Sequence, residues 1–506
     1  IFERMKIMKV AQIIKLVILG LYLMGMLLVG ILTYAKNEDF QDYVLGGRKL
    51  GKWSTALSAQ ASDMSGWLLV GLPGAAYLSG VEAGWIAIGL AVGTYANWRV
   101  VAKRLRIYTE KAGNSLTLPD YFEKRFDDKS GILRLIPALV IIIFFTVYTA
   151  AQFSTGAKLF EMLLGVPYQM ALILGAIVII GYTFLGGFLA VSFTDVIQGL
   201  LMFFALIVVP VFAVVQLGGI DKVKLGVLSI DPNFLSLFKA TGSNGNVHLL
   251  TIATNMAWGL GYFGQPHILA RFMAIHDPEE LKASRRIAMV WVVISLFSSI
   301  ICGVIGRLYF LDSPLGDSEQ VFMLMVNQMF PAVIAGIFLA AILAASMSTA
   351  DSQLLVTASS ISEDIYNKYI NKNADDNKKL MAGRAAVIGV SIIAVIIAFD
   401  PNSSVFGLVS NAWAGLGAAF GPVVLLSVFW RRMNRFGAMA GMVSGAAGVI
   451  IWNTLEKTFP NVEIFQLYEL LPAFIISVIC IYVFSVLTEA PSKNVLDTFD
   501  EVRGLE

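Results

Sequence analysis

Charge is scarce in this sequence. Of its 506 residues only 14% are Asp, Glu, Lys or Arg, against about 25% in an ordinary soluble chain. That shortfall excludes a disordered protein, a nucleic-acid-binding protein and an ordinary cytosolic enzyme. The two signs nearly cancel, 37 basic against 35 acidic residues, so no partner of one charge is implied. Cysteine is scarcer still. Cys302 and Cys480 both lie in apolar runs, which leaves no disulfide framework and no Cys-x-x-Cys pair for zinc or redox chemistry. Three histidines, His248, His267 and His276, are too few and too scattered for a catalytic or metal cluster. No Gly-rich phosphate loop with its Lys occurs. The longest polar stretches, 103–132, 219–247, 312–329 and 362–382, are loop-sized, so no separate soluble domain is expected.

What the chain has is apolar length: 57% of its residues are apolar. A membrane helix needs about 20 of them in succession. Thirteen candidate spans follow, at 11–35, 53–80, 83–102, 133–160, 167–190, 195–218, 248–272, 287–311, 330–358, 383–400, 404–430, 436–454 and 466–488. Here they are called spans 1 to 13. Span 1 is too long for a cleaved signal and no small-residue cleavage site follows it, so it reads as a retained helix. With the N-terminus outside, 27 of the 37 Lys and Arg fall on inside segments and at most ten outside. The positive-inside bias therefore predicts N-out and C-in. The expected class is an all-α polytopic membrane protein, a transporter or channel rather than an intramembrane enzyme.

Three stretches break the pattern of a lipid-facing helix. Span 2 carries Ser58-Ala-Gln60-Ala61-Ser62-Asp63-Met64-Ser65-Gly66. A carboxylate at membrane depth is expensive and points to function; the plainer alternative is that Asp63 faces a wet vestibule and holds two helices together. Span 7 carries Trp258-Gly-Leu-Gly-Tyr262-Phe-Gly-Gln-Pro266-His267. Three glycines and a proline will not keep a straight helix, although close helix packing also uses glycine. Spans 2–6 and 7–11 are both blocks of five, and each opens on a broken helix. Paired interrupted spans in corresponding places point to an inverted-repeat transporter. The chain then divides into 1–52 (N-terminal segment, span 1 and first cytoplasmic loop), repeat one at 53–218, an extracellular loop at 219–247, repeat two at 248–430, and 431–506 with spans 12, 13 and a cytoplasmic tail. Span 9 carries the third anomaly, Ala345-Ser346-Met347-Ser348-Thr349. Such hydroxyls often bond back to their own helix. Two of them facing the freed carbonyls of a broken helix would also suit a hard cation such as sodium, which takes oxygen ligands.

Longer motifs carry a resemblance. Leu57-Ser-Ala-Gln-Ala-Ser-Asp63-Met-Ser-Gly66-Trp-Leu-Leu-Val-Gly-Leu-Pro-Gly74 resembles the second helix of the sodium/solute symporter family, and within it the bacterial sodium/proline symporters. So do Leu45-Gly-Gly-Arg48, Ser115-Leu-Thr-Leu-Pro-Asp-Tyr-Phe122, Phe184-Leu-Gly-Gly-Phe-Leu-Ala-Val-Ser-Phe-Thr-Asp195 and, most specifically, Trp258-Gly-Leu-Gly-Tyr-Phe-Gly-Gln-Pro-His-Ile-Leu-Ala-Arg271. The resemblance runs from about residue 37 to 490. It implies the leucine-transporter fold, two inverted five-helix repeats preceded by one extra helix, in a multi-pass protein of the cell membrane.

It further implies a sodium ion held by the carbonyls of Ala61, Met64 and Ala345 and the hydroxyls of Ser348 and Thr349. Asp63 matches a carboxylate required for sodium coupling, and Asp195 one on the inward sodium exit path. The implied solute pocket is lined by Ser65, Gly66, Tyr148, Trp258, Tyr262 and Pro266. The mechanism that follows is alternating access. Sodium ties the broken span 2 to span 9, exposed N–H groups of Ser65 and Gly66 take a carboxylate, and aromatic faces suit a pyrrolidine ring and its ammonium. A potential of about 100 mV supplies roughly 2.3 kcal/mol per sodium charge moved. The solute is read as L-proline, the partners as that solute and the lipid bilayer, with no nucleic acid and no obligate protein partner. Another carboxylate such as pantothenate, or a sugar, stays open as the solute, as do a channel and a membrane sensor.

Overall fold

The computed structural model describes residues 2–34, 40–183, 187–243 and 245–505. Among these, regular structure is helical apart from two isolated β-bridges. Every apolar run finds a helix. Span 1 is Phe2–Tyr34, span 4 Ile132–Leu164, span 8 Leu281–Tyr309, span 10 Asp376–Ile397, span 11 Val405–Phe429, span 12 Arg435–Thr458 and span 13 Leu470–Leu487. Span 3 runs Gly84–Ala96 and continues through a π-turn, Asn97–Val101, into Ala102–Lys111. Span 9, Ala332–Ser359, likewise passes into a π-helix, Ser360–Ile370.

Ten of the described helices are long and apolar enough to cross a membrane. The difference from thirteen has physical causes. Span 7 is cut into pieces too short to be counted, span 2 is cut so that its second half runs on into span 3, and span 5 is short, Tyr168–Thr183. Span 6 also differs from expectation. It starts at Phe188, not at 195, and runs to Gln216. Phe184, Leu185 and Gly186 of the resembling motif lie outside the described residues.

Both predicted breaks are present. Span 2 is helical over Lys52–Asp63, leaves the helix at Met64 (φ −78°, ψ 67°), and restarts as Gly66–Leu69 with the Ser65 hydroxyl accepting from Trp67 N. A second kink at Val70 leads into Gly71–Ser79, whose Pro73 has no N–H to offer. Span 7 is Leu249–Ala257, a 3₁₀ stretch Trp258–Gly264, then Pro266–Ala274. Carbonyls released by the 3₁₀ stretch are taken by side chains: Trp413 Nε1 donates to Trp258 O at 2.8 Å and Asn97 Nδ2 to Tyr262 O at 2.9 Å. Spans 3 and 7 touch through glycines. A Cβ on Gly89 would stand 2.5 Å from Met256 O, and one on Gly93 or Gly259 would collide with the other helix's backbone.

Short helices cover the ends. Ile220–Ile230 and Val321–Met329 lie in the loops after spans 6 and 8. Leu118–Arg125 precedes span 4, and Lys493–Gly504 packs Phe499 near Tyr108 and Arg125.

Candidate solute and sodium sites

The break in span 2 lies against spans 4, 7 and 9, so its freed groups meet three helices. At Ala61 the meeting is with span 9. Ser348 Oγ is 2.7 Å from Ala61 O and 3.2 Å from Ala345 O, and Thr349 Oγ1 is 3.4 Å from Ala61 O. All of these residues are fully buried. Four neutral oxygens therefore converge between the two helices, a donor set suited to a small hard cation and to no soft one. Neighbouring Ser346 behaves differently and bonds back to Ile342 O at 3.0 Å. Met64 stands at the break itself as the cap of the first half-helix.

Asp63 does not point at these oxygens. Its carboxylate accepts the Tyr262 hydroxyl at 2.6 Å, which joins two residues that the sequence gave no reason to pair. Together with Met64, Trp67, Leu90, Tyr148, Trp258, Val409 and Trp413 they line a small cavity of about 10 Å³, room for about one water. The expected pocket residues Tyr148, Trp258 and Tyr262 are thus brought together. Ser65, Gly66 and Pro266 are not on its wall. The N–H groups expected to be exposed are engaged: Ser65 N donates to Asp63 O at 2.8 Å and Gly66 N to Gln152 Oε1 at 3.2 Å. The reason is local. Once span 2 unwinds, its buried donors must find partners in the protein, and Gln152 lies one helical turn beyond Tyr148 on span 4. Pro266 opens the last piece of span 7, where its missing N–H costs nothing.

Above the cavity is a vestibule of about 920 Å³, lined by the start of span 7, the start of span 11, the end of span 12 and the approach to span 13. Four rings separate the two. Trp258 stacks on Trp67 at 5.3 Å and on Tyr468 at 5.2 Å, and Phe406 lies 5.3 Å from Trp258. Phe406 is set by Glu319, which accepts from Ser404 Oγ, Val405 N and Phe406 N at 2.8–3.0 Å and pairs with Lys158 Nζ at 2.6 Å. Lys158 also pairs with Asp317 at 2.8 Å.

On the far side of these four oxygens the contacts are ionic. Asp195 lies two turns inside span 6 and fully buried, which corrects its placement at a helix start. Arg271 Nη2 bonds Asp195 Oδ2 at 3.2 Å and Ser352 Oγ at 2.6 Å, and Ser58 Oγ bonds the same carboxylate oxygen at 2.7 Å. The Asp351 carboxylate accepts the Thr183 hydroxyl. Sequence reasoning missed Gln152, Arg271, Ser352, Lys158, Glu319 and Tyr468. A buried charge inside an apolar run was the available signal for Arg271 and Lys158.

The profile of the sodium:solute symporter family matches residues 43–445. The chain belongs to that family. It is 48% identical over 492 residues to the sodium/proline symporter of Escherichia coli (strain K12), covering 96% of this chain and 95% of that one. It is 47% identical over 479 residues to the high-affinity proline transporter PutP of Bacillus subtilis (strain 168), covering 94% and 98%. Among solved structures it matches a Na⁺-coupled sialic acid symporter in a substrate-bound outward-open state, with TM-score 0.78 at 20% identity over 95% of this chain and 99% of that one. It also matches MhsT in complex with L-phenylalanine, with TM-score 0.53 at 14% identity over 87% and 98%. At those identities the likeness is one of fold: an all-α membrane protein of the leucine-transporter class.

Proposed function

We propose that this symporter couples inward sodium movement to uptake of L-proline across the cell membrane by alternating access. The observation that carries it is the convergence of Ser348 and Thr349 on the Ala61 carbonyl beside a cavity walled by Trp258, Tyr148 and Tyr262. The solute comes from the relatives, two of which are named for proline at nearly half identity over nearly the whole chain. Sodium is a co-substrate, taken by the carbonyls of Ala61, Met64 and Ala345 and the two hydroxyls. Bound there it ties span 2 to span 9 and fixes the residues on either side of the break. Asp63 and Tyr262 then link the ion to the solute, because the carboxylate next to the sodium oxygens is held by a ring of the solute cavity. Aromatic faces at Trp258 and Tyr148 suit an apolar ring carrying an ammonium. Asp195, behind the ion, offers it a route inward. The Lys and Arg distribution supports a vestibule that faces outside, and 53–218 and 248–430 are the two repeats, with one helix bundle rocking against the other to open the site inward.

The test is sodium-dependent uptake of radiolabelled proline in proteoliposomes, with pantothenate and sugars as competitors. Proline alone should compete, and no sodium current should flow without it. The Asp63→Asn variant should insert normally and lose sodium stimulation. Uptake that ignores sodium, or that pantothenate blocks better than proline, would overturn the assignment.

A further inference from the structure

The solute cavity and the vestibule share one wall, and its outermost ring comes from an unexpected place. Trp67, Trp258 and Phe406 are each part of a helical piece. Tyr468 is not. It follows a short 3₁₀ turn, Glu463–Gln466, in the connection between spans 12 and 13. That connection lies beyond residues 43–445, the part of the chain that the family profile matches.

Tyr468 is nonetheless firmly placed. Its ring stacks on Trp258 with planes 21° apart. Its hydroxyl donates to Ser410 O on span 11 at 2.6 Å, and its N–H donates to Thr254 Oγ1 on span 7 at 3.2 Å. It lines the vestibule together with Trp258. Below it, a cavity with room for about one water admits no amino acid until a wall moves. Swinging out the Tyr468 side chain costs one hydroxyl bond and one ring stack, and leaves in place its N–H bond to Thr254 and the bond its carbonyl accepts from Leu471 N at the start of span 13.

We propose that Tyr468 is the outer leaf of the gate over the solute site, a positioning residue that holds the Trp258 ring across the passage and so governs release of solute to the outside. The inference rests on the reading of the small cavity as the solute site. When Tyr468 swings away, the outward face of Trp258 is wetted and the vestibule becomes continuous with the cavity. Tyr468 therefore acts on exchange with the outside and leaves the sodium oxygens untouched.

The test uses a cysteine at the cavity wall, Val409→Cys, in the full chain with Cys302→Ser and Cys480→Ser. A membrane-impermeant thiol reagent is applied from the vestibule side without solute. Tyr468→Ala should label about 2- to 12-fold faster than the parent, the scale of one aromatic pair. Tyr468→Phe, which keeps the ring and loses the Ser410 anchor, should fall between. Sodium dependence of uptake should not change in either. Tyr468→Leu replaces the alanine variant if that one does not reach the membrane. An unchanged labelling rate in every variant that reaches the membrane, or a shift in sodium dependence as large as the change in labelling, overturns the proposal and leaves Tyr468 as packing. Added proline with sodium should slow labelling of the parent. Failure of that protection alone counts against proline as the solute and not against Tyr468.

Discussion

The two sides of the four oxygens gathered at Ala61, Ala345, Ser348 and Thr349 are closed by different physics. Toward the vestibule the closure is a stack of four rings, with one ionic group, Lys158 with Asp317 and Glu319, set behind it. Toward the other face it is a lattice of charge and hydrogen bonds. Arg271, Asp195, Ser58 and Ser352 form its centre. Arg106 donates to Ile275 O at 2.7 Å, and Arg48 to Ser115 O at 2.9 Å. Around Arg134 stand Asp120, Glu123, Glu363 and Asp364, all within 3.4 Å. Each ring pair is worth only about 0.5–1.5 kcal/mol beyond its burial, so a stack yields to a solute one ring at a time. Buried ion pairs are directional and costly to break singly. The outer side is thus built to respond to the solute, and the inner side to stay shut until several bonds exchange together.

The largest effect should come from halving the inner lattice. Arg271→Ala leaves Asp195 buried without its cation, a loss of roughly 3–5 kcal/mol, read as a collapse in yield and in detergent melting temperature. Replacing both, Arg271→Met with Asp195→Leu, should recover much of that stability while transport stays lost. Equal stability of the single and double variants would remove the lattice from the comparison.

Next in size is the sodium proposed to bind between the two sides. Ser348→Ala or Thr349→Ala removes one oxygen from a hard cation, about 1.5–3 kcal/mol, seen as a 10- to 150-fold higher sodium requirement for uptake. Ser346→Ala, whose hydroxyl only bonds back to Ile342 O, should be near normal. Matching curves for Ser346→Ala and Ser348→Ala would mean that the hydroxyls serve their own helix.

A smaller change is expected from Tyr262→Phe, which takes one hydrogen bond from a buried carboxylate, on the order of 1–3 kcal/mol. Because Tyr262 touches both the solute cavity and Asp63, the proline and sodium constants should rise together. A rise in the proline constant alone would uncouple the two sites.

The smallest effect should be at the exposed clasp of the last helix. Arg431 pairs with Asp500 at 2.7 and 2.9 Å in open solvent. Arg431→Ala should alter uptake only slightly, and the difference should vanish in high salt. The same pair holds the Asp500 carboxyl below its usual range. Its grip is therefore complete above the ordinary carboxyl pKa and is lost only as pH falls through the lowered value. A pH titration of the helix's protection from proteolysis reads this directly; release near neutral pH would contradict it.

Much of the fold was legible because membrane helices announce themselves by length, and because both breaks carry their own signals, Asp63-Met-Ser-Gly66 and the glycines after Trp258. Ser348 and Thr349 were legible as adjacent hydroxyls facing a broken helix. Less legible was everything set by partners far apart in the chain. Asp63 meets Tyr262 at a separation of 199 residues, and Gly66 meets Gln152 at 86. No local pattern marks Gln152 as the residue that engages the Gly66 N–H, so the free donors expected there are not free. Span 6 was begun too late because Asp195, a charge, resembles the end of an apolar run. In the structure Arg271 stands opposite it, and the helix continues past it.

The glycine contact between spans 3 and 7 has a consequence for how solute preference is altered. Gly89, Gly93 and Gly259 bring the two backbones together with no side chain between them, and Asn97 pins the Tyr262 carbonyl from the same helix. Two helices joined this way leave no room for a Cβ at the contact. The 3₁₀ stretch bearing Trp258 and Tyr262 is held as closely on its other side, where Gly261 and Gly264 meet the span 11 backbone at Gly417 and Gly421. A redesign that enlarges the cavity for a bulkier solute must therefore leave these glycine contacts alone and recut a lining side chain, at Tyr148 or Val409.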